Sequence, residues 1–245
     1  MKRHSLGQHY LIDPDAIRLM ISAAMVKETE SVVEIGTGEG VLTQRLAGMC
    51  ARLDGYEVDP DNYKKTLARS RGTRVRMHRV DAFSERPKFD VLVSSLPYSR
   101  SQDFVEWISQ VEYNRAVVLL QEDFVRKVLS PPGSRDYRAV SAIAQISSGI
   151  RRLARVRRDA FSPPPRVNSV LVDVRPKLRL SEGEISNIKK LFSLRRREVS
   201  SALAQFGLQP LADDFGRRRV YSLAPGEVHE ICRTASLARD LSRRR

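Results

Sequence analysis

The chain has 245 residues, 41% of them hydrophobic and 29% charged, enough apolar material for a packed core. Its 43 Lys and Arg against 29 Asp and Glu give a formal charge of +14, which points to a polyanionic partner and to nucleic acid first. No apolar run is long enough to cross a bilayer, the first ten residues lack a secretory apolar core, and Cys50 and Cys232 make neither a disulfide framework nor a zinc cluster. These counts argue against a membrane protein, a secreted disulfide scaffold and a zinc-dependent reader, and lead us to expect a cytoplasmic protein without a metal.

In chain order, Ser31 to Ile35 reads as a strand, Gly36-Thr-Gly-Glu-Gly40 as a tight loop, and the stretch through Leu46 as a helix. Leu53–Glu57 reads as a second strand and Asp61–Arg69 as a helix. Val75–Val80, Phe89–Val93 and Ala116–Leu120 read as the third to fifth strands. Short strands alternating with helical patterns predict βαβ units and a parallel, doubly wound sheet. Leu153–Arg157 and Ser169–Val174, joined through Phe161-Ser-Pro-Pro-Pro165, are close enough to pair antiparallel at one sheet edge. Beyond Lys177, Ile185, Ile188, Leu191, Phe192, Val199, Leu203 and Phe206 recur at helical spacing. Gly207 sits where a helix would end, and a further helix is predicted over Glu227–Leu237. The expected division is therefore an α/β domain over residues 1–177 and a small helical domain over 178–245.

The glycine loop follows a strand and opens a helix, where α/β sheets bind nucleotides. Glu57, at the end of the next strand, is placed to accept ribose hydroxyls. The loop is not the dinucleotide fingerprint, and Glu39 inside it would repel a phosphate. A ligand with a ribose and a cationic middle suits it better, and S-adenosylmethionine has both. Asp81 ends the third strand, where a carboxylate can accept from an adenine amino group. A glycine turn alone is often only a tight connection; three successive strand ends carrying glycines, Glu57 and Asp81 favour cofactor binding over packing.

Four stretches make the reading specific: Gly7-Gln-His-Tyr-Leu11, Glu34-Ile-Gly-Thr-Gly38, Ser95-Leu-Pro-Tyr98 and Phe161-Ser-Pro-Pro-Pro-Arg-Val167. In this order and spacing the chain resembles the rRNA adenine N6,N6-dimethyltransferase family, along nearly its whole length. The resemblance implies a Rossmann-like S-adenosylmethionine-dependent methyltransferase sheet with a small all-helical C-terminal domain. It also implies roles. His9 and Leu11, with Gly36 and Gly38, would line the methionine end of the cofactor. Glu57 would hold the ribose, Asp81 the adenine amine, and Ser95 would bridge cofactor and acceptor. Tyr98 and Phe161 would sandwich a flipped adenine, with the Leu96 carbonyl and the rigid Pro97 turn directing its exocyclic nitrogen. The family usually carries Asn or Asp where this chain has Ser95. A hydroxyl is shorter, so two readings follow: activity through a rearranged contact, or RNA binding with weakened or lost methyl transfer.

Arg151, Arg152, Arg155, Arg157 and Arg158 crowd one run, and Arg195–Arg197 and Arg217–Arg219 fall in the helical part. Each cluster alone is as readily a solvated face; together they suit phosphate tracking on RNA shape. The tail Arg243–Arg245 would add only nonspecific affinity. His4, His78 and His229 read as structural or exposed, and the two cysteines as small apolar side chains. The expected function is N6 methylation of adenines, two adjacent ones, in small-subunit rRNA or a pre-ribosomal particle, by a monomer. Rival readings are a noncatalytic RNA-binding assembly or transcription factor, a large-subunit rRNA methylase and, last, a nucleotide-dependent oxidoreductase.

Overall fold

The computed structural model describes residues 9–208, 215 and 217–243, with side chains to residue 237. His4, Gly7 and Gln8 lie outside the described residues, as do Arg244 and Arg245; the side chain of Arg243 is likewise not described.

Strands β2 (Ser31–Ile35), β3 (Arg52–Tyr56), β4 (Val75–His78), β5 (Val91–Ser95) and β6 (Arg115–Gln121) pair in parallel, in the order β4-β3-β2-β5-β6. The hydrophobic runs are nearly continuous because both faces of this sheet are covered. Val33, Leu92, Val118 and Val172 enter one apolar cluster, whereas Val32, Val91, Val117 and Leu171 enter the other. The period of two along each strand sorts neighbouring side chains to opposite faces.

One face is covered by α1 (Pro14–Ala24) and α2 (Val41–Leu46), through Ile17, Met20, Leu42 and Leu46. Helix α3 (Pro60–Arg69) packs beside β4. The other face carries α4 (Ser101–Ile108), α5 (Glu122–Val128) and α6 (Ala139–Ser147). Against α6 rest α7 (Glu182–Ser193) and α9 (Pro225–Arg243), with α8 (Val199–Ala204) between them in sequence. Ile188, Leu191, Val199, Val228 and Ile231 join the same apolar cluster as Ile143 and Val172, so the C-terminal helices share the core of the sheet domain. The single helical stretch expected over 185–206 is broken in two at Leu194–Glu198, and Gly207 follows α8 with φ +71°.

The last two strands pair antiparallel at one sheet edge, as expected, and are longer than their apolar runs. Strand β7 spans Ser148–Val156 and β9 spans Ser169–Pro176; they are antiparallel, but β9 lies inside, between β6 and the edge strand β7. A separate two-stranded ribbon pairs β1 (Tyr10–Leu11) with β8 (Phe161–Ser162) antiparallel, bringing the two ends of the α/β part together. Cys50 and Cys232 are buried and unbridged, Cys232 with its thiol pushed up to about 12 by burial. His78 stacks on Tyr56 and meets Asp54 Oδ1 at 2.9 Å, while His229 meets Glu184 Oε1 at 3.1 Å. Both are structural. Among the described residues no helix is long and apolar enough to cross a membrane, and no group of three or more His, Cys, Asp or Glu could hold a metal ion.

Candidate cofactor and acceptor site

A cavity opens at the carboxyl ends of β2, β3 and β5, the end at which open α/β sheets take their ligands. Its floor is the glycine loop. Gly36 at φ +71° receives its turn from a hydrogen bond to the Tyr56 carbonyl at 2.8 Å. Gly38, at φ +53°, leaves no room for a side chain: a Cβ there would stand 3.1 Å from the Tyr10 ring. These left-handed positions suit glycine, and the missing Cβ atoms leave bare backbone on the cavity wall. Glu39 pairs with Lys65 at 2.9 Å.

Glu57 follows β3 and is 4% exposed. Its Oε2 accepts from Gly38 N at 2.8 Å and its Oε1 from Asp59 N at 2.9 Å, so the carboxylate fixes the glycine loop and the N-terminus of α3 together. Burial outweighs these donors and holds its pKa above the ordinary carboxylate range. Two donors leave about two of the four acceptor positions of the carboxylate for a ligand. Asp81 caps a short turn through Phe83 N at 3.0 Å on Oδ1, and its Oδ2 accepts from Arg100 Nη2 at 2.8 Å.

The acceptor side is the turn after β5. Ser94 Oγ, buried, donates to the Ile35 carbonyl at 2.6 Å and locks β5 to β2 beneath the cavity. Ser95, Leu96, Pro97 and Tyr98 all line the cavity. The Pro97 carbonyl is taken by Arg100 N at 2.9 Å and the Tyr98 carbonyl by Ser101 Oγ at 3.0 Å; neither contact uses the Leu96 carbonyl. The Tyr98 hydroxyl meets Ser169 Oγ of β9 at 2.7 Å, and burial raises its pKa. His9 stands 5.6 Å from the Tyr98 ring, its Nδ1 donating to the Pro163 carbonyl at 2.7 Å beside the cis Ser162–Pro163 bond.

Of the residues the sequence nominates, His9, Gly36, Gly38, Glu57, Asp81, Ser95, Leu96, Pro97, Tyr98 and Phe161 all meet at this cavity. Leu11 does not: it is 7% exposed and packs into the core with Phe161, its partner across the ribbon, while its neighbour Tyr10 faces the cavity. Alternation along a strand sends only one of two neighbours to each side. Sequence reasoning missed Tyr10, Phe83 and Arg100. Tyr10 had a usable signal in that alternation; Arg100 had none, since its meeting with Asp81 depends on how two separate turns face each other.

Comparison with known proteins gives one consistent result. A family model described as ribosomal RNA adenine dimethylase matches residues 1–225. The chain is 32% identical over 241 residues to a probable ribosomal RNA small subunit methyltransferase A of Thermococcus gammatolerans, covering 93% of this chain and 87% of that protein. It is 30% identical over 213 residues to the ribosomal RNA small subunit methyltransferase A of Thermotoga neapolitana, covering 84% and 81%. In fold it is similar to a dimethyladenosine transferase from Plasmodium falciparum, with a TM-score of 0.80 at 22% identity over 91% of this chain and 96% of that one. It is also similar to the 23S rRNA methyltransferase ErmE, with a TM-score of 0.65 at 19% identity over 93% and 99%.

Proposed function

The chain belongs to the ribosomal RNA adenine dimethylase family, and from that premise we propose that it transfers methyl groups from S-adenosylmethionine to the N6 of two adjacent adenines in small-subunit rRNA. The observation that carries the reading is the single cavity into which the glycine loop, Glu57, Asp81 and the Ser95–Tyr98 turn all open. Its residues fit the cofactor: a Cβ-free floor at Gly36 and Gly38, a buried carboxylate at Glu57 with spare acceptors, and Val58, Val80 and Phe83 as apolar walls for a flat ring. When bound, S-adenosylmethionine supplies an electrophilic methyl group on a cationic sulfur.

The rest is the work of the chain. An exocyclic adenine nitrogen is a poor nucleophile because its lone pair is delocalised into the ring. The Leu96 carbonyl and the Ser95 hydroxyl supply acceptors for its N–H groups, and acceptors so placed favour a pyramidal nitrogen with a localised lone pair. That stabilisation grows toward the transition state. Pro97 presents these groups on a turn with little freedom to lose. Tyr98, held by Ser169, provides a stacking surface for an extruded base, which offsets part of its unstacking, and the buried Phe161 backs the same cavity. Positioning then accounts for most of the rate. The arginines of β7 and the helices beyond residue 178 serve RNA binding in this reading.

Methyl incorporation tests it. Purified protein, labelled S-adenosylmethionine and undermethylated small subunits are incubated, and the RNA nucleosides are identified by mass. Dimethyladenosine in the small-subunit RNA is the expected product. Binding of cofactor and RNA without any methylated adenine would favour a noncatalytic assembly role, with Ser95 as the altered group.

A further inference from the structure

The carboxylate expected to meet the adenine amine already has a cationic partner. Arg100 closes the short turn Tyr98–Arg100 and leads into α4. Its Nη2 donates to Asp81 Oδ2 at 2.8 Å, its Nε stands 2.8 Å from Asp103 Oδ2, and its guanidinium lies over the Phe83 ring at 4.8 Å from the centroid. Three contacts thus hold one planar group on the cavity wall. A long side chain free at the surface would gain little from one exposed ion pair. A guanidinium fixed between two carboxylates and a ring has few rotamers left to lose.

Acceptor counting decides what this does to a ligand. An ionised carboxylate offers about four acceptor positions. Phe83 N uses one on Oδ1 and Arg100 uses one on Oδ2, so each oxygen keeps one open. A purine amine can therefore add to Asp81 without displacing Arg100. With both donors in place the carboxylate is held in one orientation, and its open positions present acceptors to the cavity. Such a group accepts an exocyclic N–H and repels an exocyclic oxygen at the same place.

We propose that Arg100 is a specificity-determining residue for the purine end of the cofactor, acting by fixing Asp81 as a rigid acceptor that selects a 6-amino over a 6-oxo purine. The inference rests on the reading that Asp81 faces the adenine of S-adenosylmethionine.

Calorimetric binding of S-adenosylhomocysteine and of its 6-oxo analogue, S-inosylhomocysteine, separates the possibilities. The native chain prefers the adenosyl form. Arg100→Met keeps the length and apolar body of the side chain but removes its donors. It is expected to weaken adenosyl binding by about three- to tenfold, as for a partly screened ionic contact, while inosyl binding changes less, so that the preference narrows. Asp103→Asn, on the solvent side of α4, loosens the same guanidinium from outside the cavity and is expected to give a smaller loss in the same direction. Equal losses for both ligands in Arg100→Met would reduce Arg100 to a packing role and overturn the proposal. Tighter adenosyl binding would overturn it too, by making Arg100 a competitor for Asp81. If the native chain bound neither compound, the cofactor reading itself would fall, a result distinguishable from both.

Discussion

Ser95 is the residue on which the proposed chemistry is most directly tested. Its hydroxyl stands at the end of β5 on the cavity wall, where the family resemblance would place a carboxamide or carboxylate. If the hydroxyl accepts from the target amine, Ser95→Ala lowers the methyl-transfer rate constant by about tenfold, one ordinary hydrogen bond of about 1.4 kcal/mol, and Ser95→Asn raises it by about the same factor. Single-turnover methylation at saturating cofactor measures both; an Ala variant as fast as the native chain would move the burden to the Leu96 carbonyl. A second residue-scale effect lies one strand away. Glu34 is 1% exposed, accepts from Thr43 Oγ1 at 2.6 Å, and burial raises its pKa from 4.5 to about 8. The folded chain therefore holds a proton that the unfolded chain releases, so stability falls as pH rises from about 4.5 to 8 and levels off above it. Glu34→Gln, which keeps an acceptor for Thr43, is expected to flatten that decline in urea melts across pH 5–9. An unchanged slope would mean that Glu34 is ionised in the fold. Much of the site was legible at this scale because Gly36 and Glu57 directly follow strands and Gly38 and Asp81 lie within three residues of a strand end, and strand ends converge whatever the loops do. Arg100 was not, because its partner is set by tertiary approach and not by spacing.

At the scale of elements, the parallel strands were readable from their apolar runs, yet several helices were not. In α6, Val140, Ser141, Ala142, Ile143, Ala144, Ile146 and Ser147 are all buried, so there is no polar face and no period to detect. The position of β9 was likewise hidden: local pairing with β7 follows from sequence proximity, but insertion beside β6 is a long-range choice. Some joints between elements rest on single residues. Arg115 of β6 donates to both carboxylate oxygens of Glu30, at 2.8 and 2.6 Å, and to the carbonyls of Ala24 and Met25 that end α1. The guanidinium thus caps α1 on the sheet and lowers the Glu30 pKa to about 2. The contribution of Glu30 is complete above about pH 4.5 and is lost as pH falls through about 2. Removing Arg115 leaves Glu30 partly buried with Lys27 N as its one remaining donor and takes the donor from the Ala24 and Met25 carbonyls, so Arg115→Met is expected to cost about 3–5 kcal/mol at neutral pH. For a chain of this size each kcal/mol lowers the melting temperature by about 2–4 °C. Melting within a few degrees of the native chain would show that solvent reaches Glu30.

Over the whole molecule, a charge of +14 overstates what is free to meet phosphate. On the outer run of β7, Arg152 Nη2 and Arg155 Nε lie 3.2 and 3.0 Å from the two oxygens of Glu122, and Arg151 leans on Asp173 at 3.5 Å. Arg157 pairs with Asp159, and in the helical part Arg218 holds Glu227 through two contacts. Bound phosphates must compete with these internal carboxylates, so the basic face is partly neutralised in the chain alone. Glu122 is the informative member because it holds two arginines at once from the start of α5. Glu122→Gln releases both toward solvent without touching the cavity. RNA affinity measured against salt concentration then has a steeper logarithmic slope, by about 0.7 for each additional phosphate neutralised on a single strand. The gain in affinity is largest at low salt and shrinks toward physiological ionic strength. A slope unchanged from that of the native chain would place the RNA away from β7 and shift the phosphate-tracking role to the arginines flanking α8. The same titration with Arg152→Ala and Arg155→Ala separates the alternatives: on the β7 path each loses slope, whereas on the α8 path neither does.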